Sequence, residues 1–382
     1  MKRLKICYFS WNEVVVNNAV DALLKLGHDV KVIKYETKNY DFDEVLESEL
    51  CQILNEDVYD FVFSFDYLPI ISRCCQKMNV KYVSWVYDSP HYTLESETLA
   101  NTCNSVFVFD YSEYRRYFEM GVSTVKYMPL GCNYERINNY LDLCDNDYKY
   151  DVSFVGSINT NKDYIYTVKD IPDFVKEYVN QFTWLQQKTF LEDLVDEIPE
   201  VIISELDKCM NYNLGETYRN DAQYIIKSII RERVTIYERM NILTKLSENF
   251  DVHWFGATDY KLGDVNNHKW VDYDTEMYQV FRQSKINLNI TLRTIREGIS
   301  LRVFDVLAAG GFLLTSYQEI LNEYFTDGED IVMYKDIEDL KLKIKYYLEH
   351  EEERKQIAQN GSRKVKELFD YKNLFEEIFL NS

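Results

Sequence analysis

Short apolar runs alternate with amphipathic segments along the first part of the chain. The runs at 4–9 and 61–65 are apolar almost throughout, whereas residues 14–26 carry apolar side chains at helical spacing and stop at a glycine. Apolar strands that alternate with helices are typical of a parallel sheet with helices on both faces. The pattern therefore predicts a Rossmann-like α/β domain over residues 1–140.

The alternation breaks after this domain and then resumes. An apolar strand at 152–155 follows the break, and the next clear strand comes only at 252–255. Most of the residues between them have the spacing of amphipathic helices. We therefore predict a second Rossmann-like domain at 150–370 that faces the first across a cleft, a helical insertion in it at about 162–248, and a separate helix at 371–382.

Residues 297–315 combine a loop, a short helix and a buried strand. Glu297 lies in the loop, and Asp305 lies eight positions later inside the helix, which a glycine pair ends. Backbone N–H groups and the helix dipole at such a helix start favour an anion such as phosphate. A carboxylate two turns inside the helix can accept hydrogen bonds from a diol such as a ribose. We interpret the stretch as half of a sugar-nucleotide site, with an exposed Glu and a capped core helix as the alternative. The helix-start residues of this site are Gly298, Ile299 and Ser300.

Three arginines flank the same loop. A guanidinium matches a diphosphate in charge and geometry, so Arg293, Arg296 and Arg302 are candidate ligands of the donor phosphates. Arg302 is favoured because it falls in the first helical turn, on the side of Glu297. The alternative is that the three arginines pair with neighbouring carboxylates at the surface.

Two further loops of the second domain are candidates for the donor site. Gly156 and Ser157 follow the strand at 152–155, where the backbone can approach a phosphate. A loop at Val271 and Asp272 follows a strand predicted at 269–271 and precedes a helix, and it could hold a nucleobase through main-chain hydrogen bonds. The alternative is a simple helix N-cap by Asp272 or its neighbour Asp274.

In the first domain, Asp88 and His91 follow an apolar strand at 82–86. Open α/β sheets bind ligands at the carboxyl ends of their strands. Asp88 could therefore be a general base or a hydroxyl anchor, and His91 a base or a sugar contact. The alternative is a plain turn, since Asp-Ser-Pro is common turn chemistry. The loop at 10–13 lacks glycine, which argues against a NAD or FAD enzyme.

Charge and composition narrow the partners. The chain has 382 residues and a formal net charge of −21, so a nucleic-acid partner, which needs a basic face, is not expected. No apolar stretch approaches the length of a membrane span, so no integral membrane segment is predicted. The 8 cysteines form no Cys-x-x-Cys pair, and the 5 histidines have no metal-ligand spacing. We expect reduced thiols, no metal site and a cytoplasmic location.

The chain resembles GT-B glycosyltransferases, and most of all the bacterial CgeB-like, spore-maturation-type enzymes. The resemblance rests on 302–315, on 352–361 and, in the first domain, on 85–91. It implies that Glu297 lies by the donor phosphate and sugar and that Asp305 binds the ribose hydroxyls. Retaining members of the fold often carry Glu-x7-Glu at this place, whereas this chain has Glu-x7-Asp.

The resemblance also implies a mechanism. Arginines and helix-start N–H groups would stabilise the departing nucleoside diphosphate without a metal, and the two domains would close over the donor. The acceptor would enter near Asp88 and His91. We therefore predict a transferase for a hexose or an N-acetylhexosamine that uses a nucleotide sugar, with UDP and retention favoured, no cofactor, and a protein or glycan acceptor. The alternatives are a sugar-nucleotide epimerase and a non-catalytic binding protein, and the oligomeric state is open.

Overall fold

The computed structural model describes residues 2–36, 39–210, 217–256 and 261–382. Two sheets of six strands dominate it. The strands of the first sheet are β1 (Lys5–Ser10), β2 (Asp29–Lys34), β3 (Phe61–Phe65), β4 (Lys81–Val86), β5 (Asn104–Val108) and β6 (Val125–Tyr127). Those of the second sheet are β7 (Tyr150–Val155), β8 (Val252–Phe255), β9 (Asn266–His268), β10 (Ser284–Asn289), β11 (Leu313–Ser316) and β12 (Val332–Tyr334).

Both sheets are parallel throughout. The first has the order β2-β1-β3-β4-β5-β6, and the second has the order β12-β11-β10-β7-β8-β9. Strands β3 and β5 are buried along their whole length, as expected where both faces are covered. The strand predicted at 269–271 is instead β9, three positions earlier. Its polar residues pair with β8, so backbone pairing and not apolar character sets this edge strand.

Fifteen α-helices in the described residues cover and connect the sheets. They are α1 (Val16–Lys25), α2 (Glu44–Glu56), α3 (Pro69–Met78), α4 (Tyr111–Glu119), α5 (Tyr134–Leu141), α6 (Tyr164–Thr167), α7 (Asp173–Gln186), α8 (Glu200–Cys209), α9 (Ala222–Ser247), α10 (Glu276–Arg282), α11 (Leu301–Ala308), α12 (Leu321–Tyr324), α13 (Ile337–Glu349), α14 (Glu351–Leu368) and α15 (Tyr371–Leu380). None of the described helices is long and apolar enough to cross a membrane.

Helix α11 shows how the sequence shapes the region around the candidate donor loop. Its buried face packs against α14, and the helix stops at Gly310, whose φ of +73° is the left-handed conformation that glycine adopts without a steric penalty. Strand β11 follows directly. The loop, helix and strand predicted for 297–315 are therefore all present.

Helices α6 to α9 form the predicted insertion between β7 and β8. Residues 211–216 of this stretch lie outside the described residues. The insertion has its own apolar core, built from α7, α8 and the first half of α9. The second half of α9 packs into the core of the second sheet, where Ile242 and Leu246 are fully buried. The insertion is thus anchored on the second sheet by one continuous helix.

The two domains exchange elements at their junction. Helix α5 follows the first sheet in the chain but contacts α10 and α11 of the second domain. Helix α15 ends the chain and packs on the first sheet, where the Phe375 ring lies 5.5 Å from that of Phe63 and 5.6 Å from that of Trp85. Elements on both sides of the junction therefore tie the two sheets together.

Candidate active site

A pocket of about 290 Å³ lies between the two sheets. Its walls come from the loop after β4, the loop after β7 and helix α9. Because both parallel sheets present the carboxyl ends of their strands here, this is the position where open α/β sheets bind ligands. We call it the interdomain pocket. The polar lining residues that matter below are Asp88, Ser157, Lys162, Glu232 and Arg239.

The first-domain wall carries a cluster of two carboxylates and an imidazole. Asp88 faces the pocket, and His91 and Asp66 lie behind it, with one polar atom of each residue within 4.8 Å of the other two. Burial raises the pKa of Asp66 to about 7, an effect that His91 opposes and Asp88 reinforces. The protein around Asp88 also desolvates its carboxyl and raises its pKa, against His91 and Lys162, although the side chain is still open to solvent at the pocket. The structure thus brings the predicted Asp88 and His91 together and adds Asp66.

The opposite wall carries a buried cation, Arg239. Its guanidinium donates to the carbonyl oxygen of Ser157 at 2.8 Å and to that of Ile290 at 2.8 Å. It makes no ion pair with any carboxylate of the described residues, since nearby Glu238 pairs with Arg293. Burial lowers the pKa of Arg239 to about 10, against the charge of Glu238, so it stays charged at neutral pH.

Lys162 lines the same pocket, where it is exposed and its charge acts on the carboxyls of Asp88 and Glu232. Arg239 and Lys162 thus bring two basic side chains to a pocket that Asp88 and Glu232 line with two carboxyls.

Glu297 lines a second pocket, also of about 290 Å³, together with Arg293 and Arg296. Its carboxylate pairs with Arg115 of α4 in the first domain. The residue at the start of the predicted donor loop is therefore near the domain junction, as a role in a two-domain site requires. Its contact with a donor stays a prediction.

The loop around Glu297 is clamped to the first domain by Asp110, which follows β5. The backbone N–H groups of Arg296 and Glu297 donate to the two Asp110 carboxylate oxygens at 2.8 and 3.1 Å. Gly298 packs so closely here that a Cβ atom would lie 3.0 Å from the Phe109 ring. The absent side chain of Gly298 thus allows the domains to touch.

The three predicted phosphate-binding arginines all pair with carboxylates. The local pairing that was the alternative for these residues is therefore present, and their role at a phosphate stays a prediction. Binding a phosphate would require each guanidinium to share or leave its partner. The pairs are Arg293–Glu238 at 2.6 Å, Arg296–Asp196 at 2.7 Å and Arg302–Asp305 at 3.3 Å.

Asp305 is only 1% exposed in α11. One carboxylate oxygen accepts a hydrogen bond from the Tyr273 hydroxyl at 2.9 Å, and the other faces Arg302. Burial raises the pKa of Asp305 to about 6, and Arg302 and Tyr273 oppose this shift. A ribose could reach the carboxylate only if one of these two partners moved, so the predicted ribose contact requires a rearrangement.

The remaining predicted donor residues have identifiable structural roles. The carbonyl oxygen of Gly156 accepts the Trp254 indole N–H at 2.8 Å. Asp272 accepts a hydrogen bond from the Thr275 hydroxyl at 2.6 Å in the turn before α10. Asp272 therefore has a structural role near the start of this helix, but the N-cap position itself is Thr275 and neither Asp272 nor Asp274. Val271 packs against the main apolar core, and Ile299 is buried in it. Ser300 is the N-cap of α11, and its hydroxyl has no hydrogen-bond partner among the described residues.

Four residues of this region were not predicted from the sequence. Asp66 and Asp110 each follow a buried strand at the same sheet edge as Asp88, so the signal that identified Asp88 could have found them. Lys162 and Arg239 belong to the insertion, and no local pattern marks them. Only the tertiary packing of α9 brings Arg239 beside the loop after β7.

Comparisons with known proteins agree with this geometry. Residues 233–379 match the model of a family described as Glycosyl transferase-like. An uncharacterized protein of Aquifex aeolicus (strain VF5) is 25% identical over 150 residues, which cover 38% of this chain and 36% of that protein. The chain thus matches only about a third of this relative's length.

Solved structures resemble the chain over nearly its whole length, although the sequences have diverged widely. The likeness shows the fold, that of GT-B glycosyltransferases, so the predicted fold class is confirmed. The closer resemblance to CgeB-like enzymes stays a prediction. The structures include sucrose-phosphate synthase of Thermosynechococcus elongatus (10% identity, 100% of both chains, TM-score 0.55), Anabaena HepE in complex with UDP and glucose (11%, 99% of both chains, 0.52), and T4 phage BGT in complex with UDP-glucose (10%, 98% of this chain and 99% of that one, 0.50).

Proposed function

We propose that the protein is a glycosyltransferase that moves a hexose or an N-acetylhexosamine from a nucleoside diphosphate sugar to a protein or glycan acceptor. The observation that carries the proposal is the interdomain pocket, which is lined by Asp88 of the first domain and by Arg239 and Lys162 of the second. A departing diphosphate needs positive charge where its own negative charge grows. An acceptor hydroxyl needs a carboxylate that orients it. The pocket offers both at the junction of the two sheets.

On the donor side, the glycosidic C–O bond breaks and the bridging oxygen of the diphosphate gains negative charge. Arg239 and Lys162 stabilise that charge, so the diphosphate itself needs no metal in this mechanism. Glu297 contacts the phosphate and sugar, and Asp305 contacts the ribose after Tyr273 or Arg302 has moved. The presence of UDP or UDP-glucose in two similar structures favours a UDP-linked donor. The Glu-x7-acid pattern slightly favours retention.

On the acceptor side, Asp88 anchors the hydroxyl that attacks the sugar and can accept its proton. The cluster of Asp66 and His91 behind Asp88 sets the charge of this wall. Contact between the domains at Asp110 and Gly298 holds the two walls of the interdomain pocket at a fixed distance and limits the entry of water.

The first experiment is calorimetric titration with UDP, GDP and their sugars. We expect the wild-type protein to bind a UDP-sugar and the Lys162→Ala variant to bind it about 10- to 150-fold more weakly, because a hydrogen bond to a charged group contributes roughly 1.5–3 kcal/mol when it is well formed. Lys169→Ala is the matched control. It removes an exposed lysine of the same insertion that does not line the pocket.

The second experiment measures turnover by NMR of the donor, with and without sugar and protein acceptors. Transfer to an acceptor supports the proposal. Isomerisation of the donor alone would instead identify an epimerase, and binding without turnover over the whole acceptor panel would identify a binding protein. The absence of binding to every nucleotide sugar would overturn the proposal.

A further inference from the structure

Three side chains with the chemistry of metal ligands meet at the carboxyl ends of β3 and β4. Asp66 directly follows β3, and Asp88 and His91 follow its neighbour β4, so the parallel pairing places them at one edge of the sheet. One ligand atom of each residue lies within 4.8 Å of the other two. Ligands of a single ion at bond lengths of 2.0–2.2 Å lie within about 4.4 Å of one another. A small rotation of the exposed Asp88 would complete that spacing.

The orientation of the His91 ring supports a metal ligand. Its Nε2 lies 3.2 Å from the carbonyl oxygen of Tyr67, which can only accept a hydrogen bond. In the neutral ring Nε2 therefore carries the proton, and Nδ1 keeps its lone pair. Nδ1 lies 3.9 Å from the Asp66 carboxylate. Donation of the other ring N–H to a backbone carbonyl is the arrangement that metal-ligating histidines commonly have.

The Asp66 carboxylate gives a second, independent indication. The side chain is only 1% exposed, and its Oδ1 accepts the Tyr87 N–H at 3.1 Å. Its Oδ2 has no hydrogen-bond partner among the described residues. A buried carboxylate oxygen without a partner is costly. With the His91 lone pair and the Asp88 carboxylate close by, the three side chains of the cluster can offer lone pairs to one cation.

We propose that Asp66, Asp88 and His91 bind one divalent metal ion at the edge of the interdomain pocket. Two carboxylates and an imidazole form a donor set that suits Mn²⁺ and Zn²⁺. Three protein ligands with the remaining positions open toward a cavity are typical of a catalytic metal site and not of a structural one. Asp88 faces the pocket, so the open positions do too.

The ion would act on the acceptor side. An acceptor hydroxyl bound at an open position would pass its proton more readily to the Asp88 carboxylate oxygen that does not bind the ion, because the ion stabilises the alkoxide. Arg239 and Lys162 of the second domain would still stabilise the charge of the diphosphate. Only this catalytic step rests on the proposed function, whereas binding of the ion by the three residues does not.

The test is metal binding by the full chain after treatment with EDTA. Calorimetry with Zn²⁺ and electron paramagnetic resonance with Mn²⁺ should each report one site in the wild-type protein. Asp66→Asn and His91→Ala should each weaken binding at least 10-fold. Asp66→Asn keeps the shape of the side chain, and circular dichroism and thermal unfolding without metal establish that it folds. The ion should raise the unfolding temperature of the wild type and not that of Asp66→Asn.

Asp251→Asn is the control. Asp251 also lies beside a histidine, with a carboxylate oxygen 3.0 Å from Nε2 of His253, but on the opposite domain. We expect this variant to bind the ion like the wild type. No stoichiometric binding by the wild type, or binding that survives both Asp66→Asn and His91→Ala, would overturn the metal site. A wild-type protein that binds the ion but no UDP-sugar would instead count against the proposed function alone.

Discussion

Asp110 joins the two domains through a single buried carboxylate, and Asp110→Asn removes half of that link. In the wild type, Oδ1 accepts the N–H groups of Ser112 and Glu297, and Oδ2 accepts the N–H of Arg296 at 2.8 Å. An asparagine has the same shape and keeps one oxygen, which can still cap α4. Its amide nitrogen, however, would face the Arg296 N–H, and two donors cannot bond to each other.

The magnitude follows from the charge and burial of the lost bond. Asp110 is only 1% exposed, and a hydrogen bond to a charged group contributes roughly 1.5–3 kcal/mol. We take this energy to hold the loop around Glu297 against the first domain. The ratio of molecules in which this contact is formed to molecules in which it is broken should then fall about 10- to 150-fold. We expect a weaker affinity for the nucleotide sugar, a larger radius of gyration in solution scattering, and a lower free energy of unfolding in urea.

Asp336→Asn is the matched control. Asp336 caps α13 by accepting the Asp339 N–H at 2.8 Å, and asparagine and aspartate are about equally good caps. This variant should therefore keep the stability and affinity of the wild type. The reasoning is refuted if Asp110→Asn changes the free energy of unfolding by no more than Asp336→Asn and leaves the affinity and the radius of gyration unchanged.

Two further predictions concern stability. Phe375→Ala in α15 should lower the free energy of unfolding in urea by about 3–5 kcal/mol, because the ring is fully buried on the first sheet; a loss below about 1 kcal/mol would mean that α15 is not part of that core. Burial raises the pKa of Glu113 to about 7, so the native state holds a proton that the unfolded chain loses near pH 4.5. The stabilisation of the native state by protonated Glu113 is therefore fully present below pH 4.5 and is lost as the pH rises through 7. The free energy of unfolding should fall by up to roughly 3 kcal/mol over this range. Glu113→Gln should lack this loss and be the more stable protein at pH 8, measured by urea unfolding at pH 5 and pH 8; equal pH dependence of the two proteins would contradict it.

The elements that the sequence predicted well are those in which local pattern and tertiary environment agree. Helix α11 and strand β11 are apolar where they are buried, and a glycine pair separates them, so spacing alone located them. Strand β9 was misplaced because an exposed edge strand needs no apolar residues, and only its pairing partner defines it. The packing of α15 on the first sheet was not predictable, because the sequence of an amphipathic helix shows that it has an apolar face but not which sheet that face covers.

The same limit explains the arginines of the candidate site. The sequence selects Arg293, Arg296 and Arg302 because they lie near Glu297 in the chain. With 64 acidic against 43 basic residues, however, an arginine in a loop readily meets a carboxylate, and all three do. Arg239 differs because helix α9 buries it against backbone carbonyl oxygens, which bind a guanidinium without cancelling its charge. The arginine that makes no ion pair among the described residues is thus set by the packing of helix α9, which no spacing along the chain encodes, and its role at a diphosphate stays a proposal.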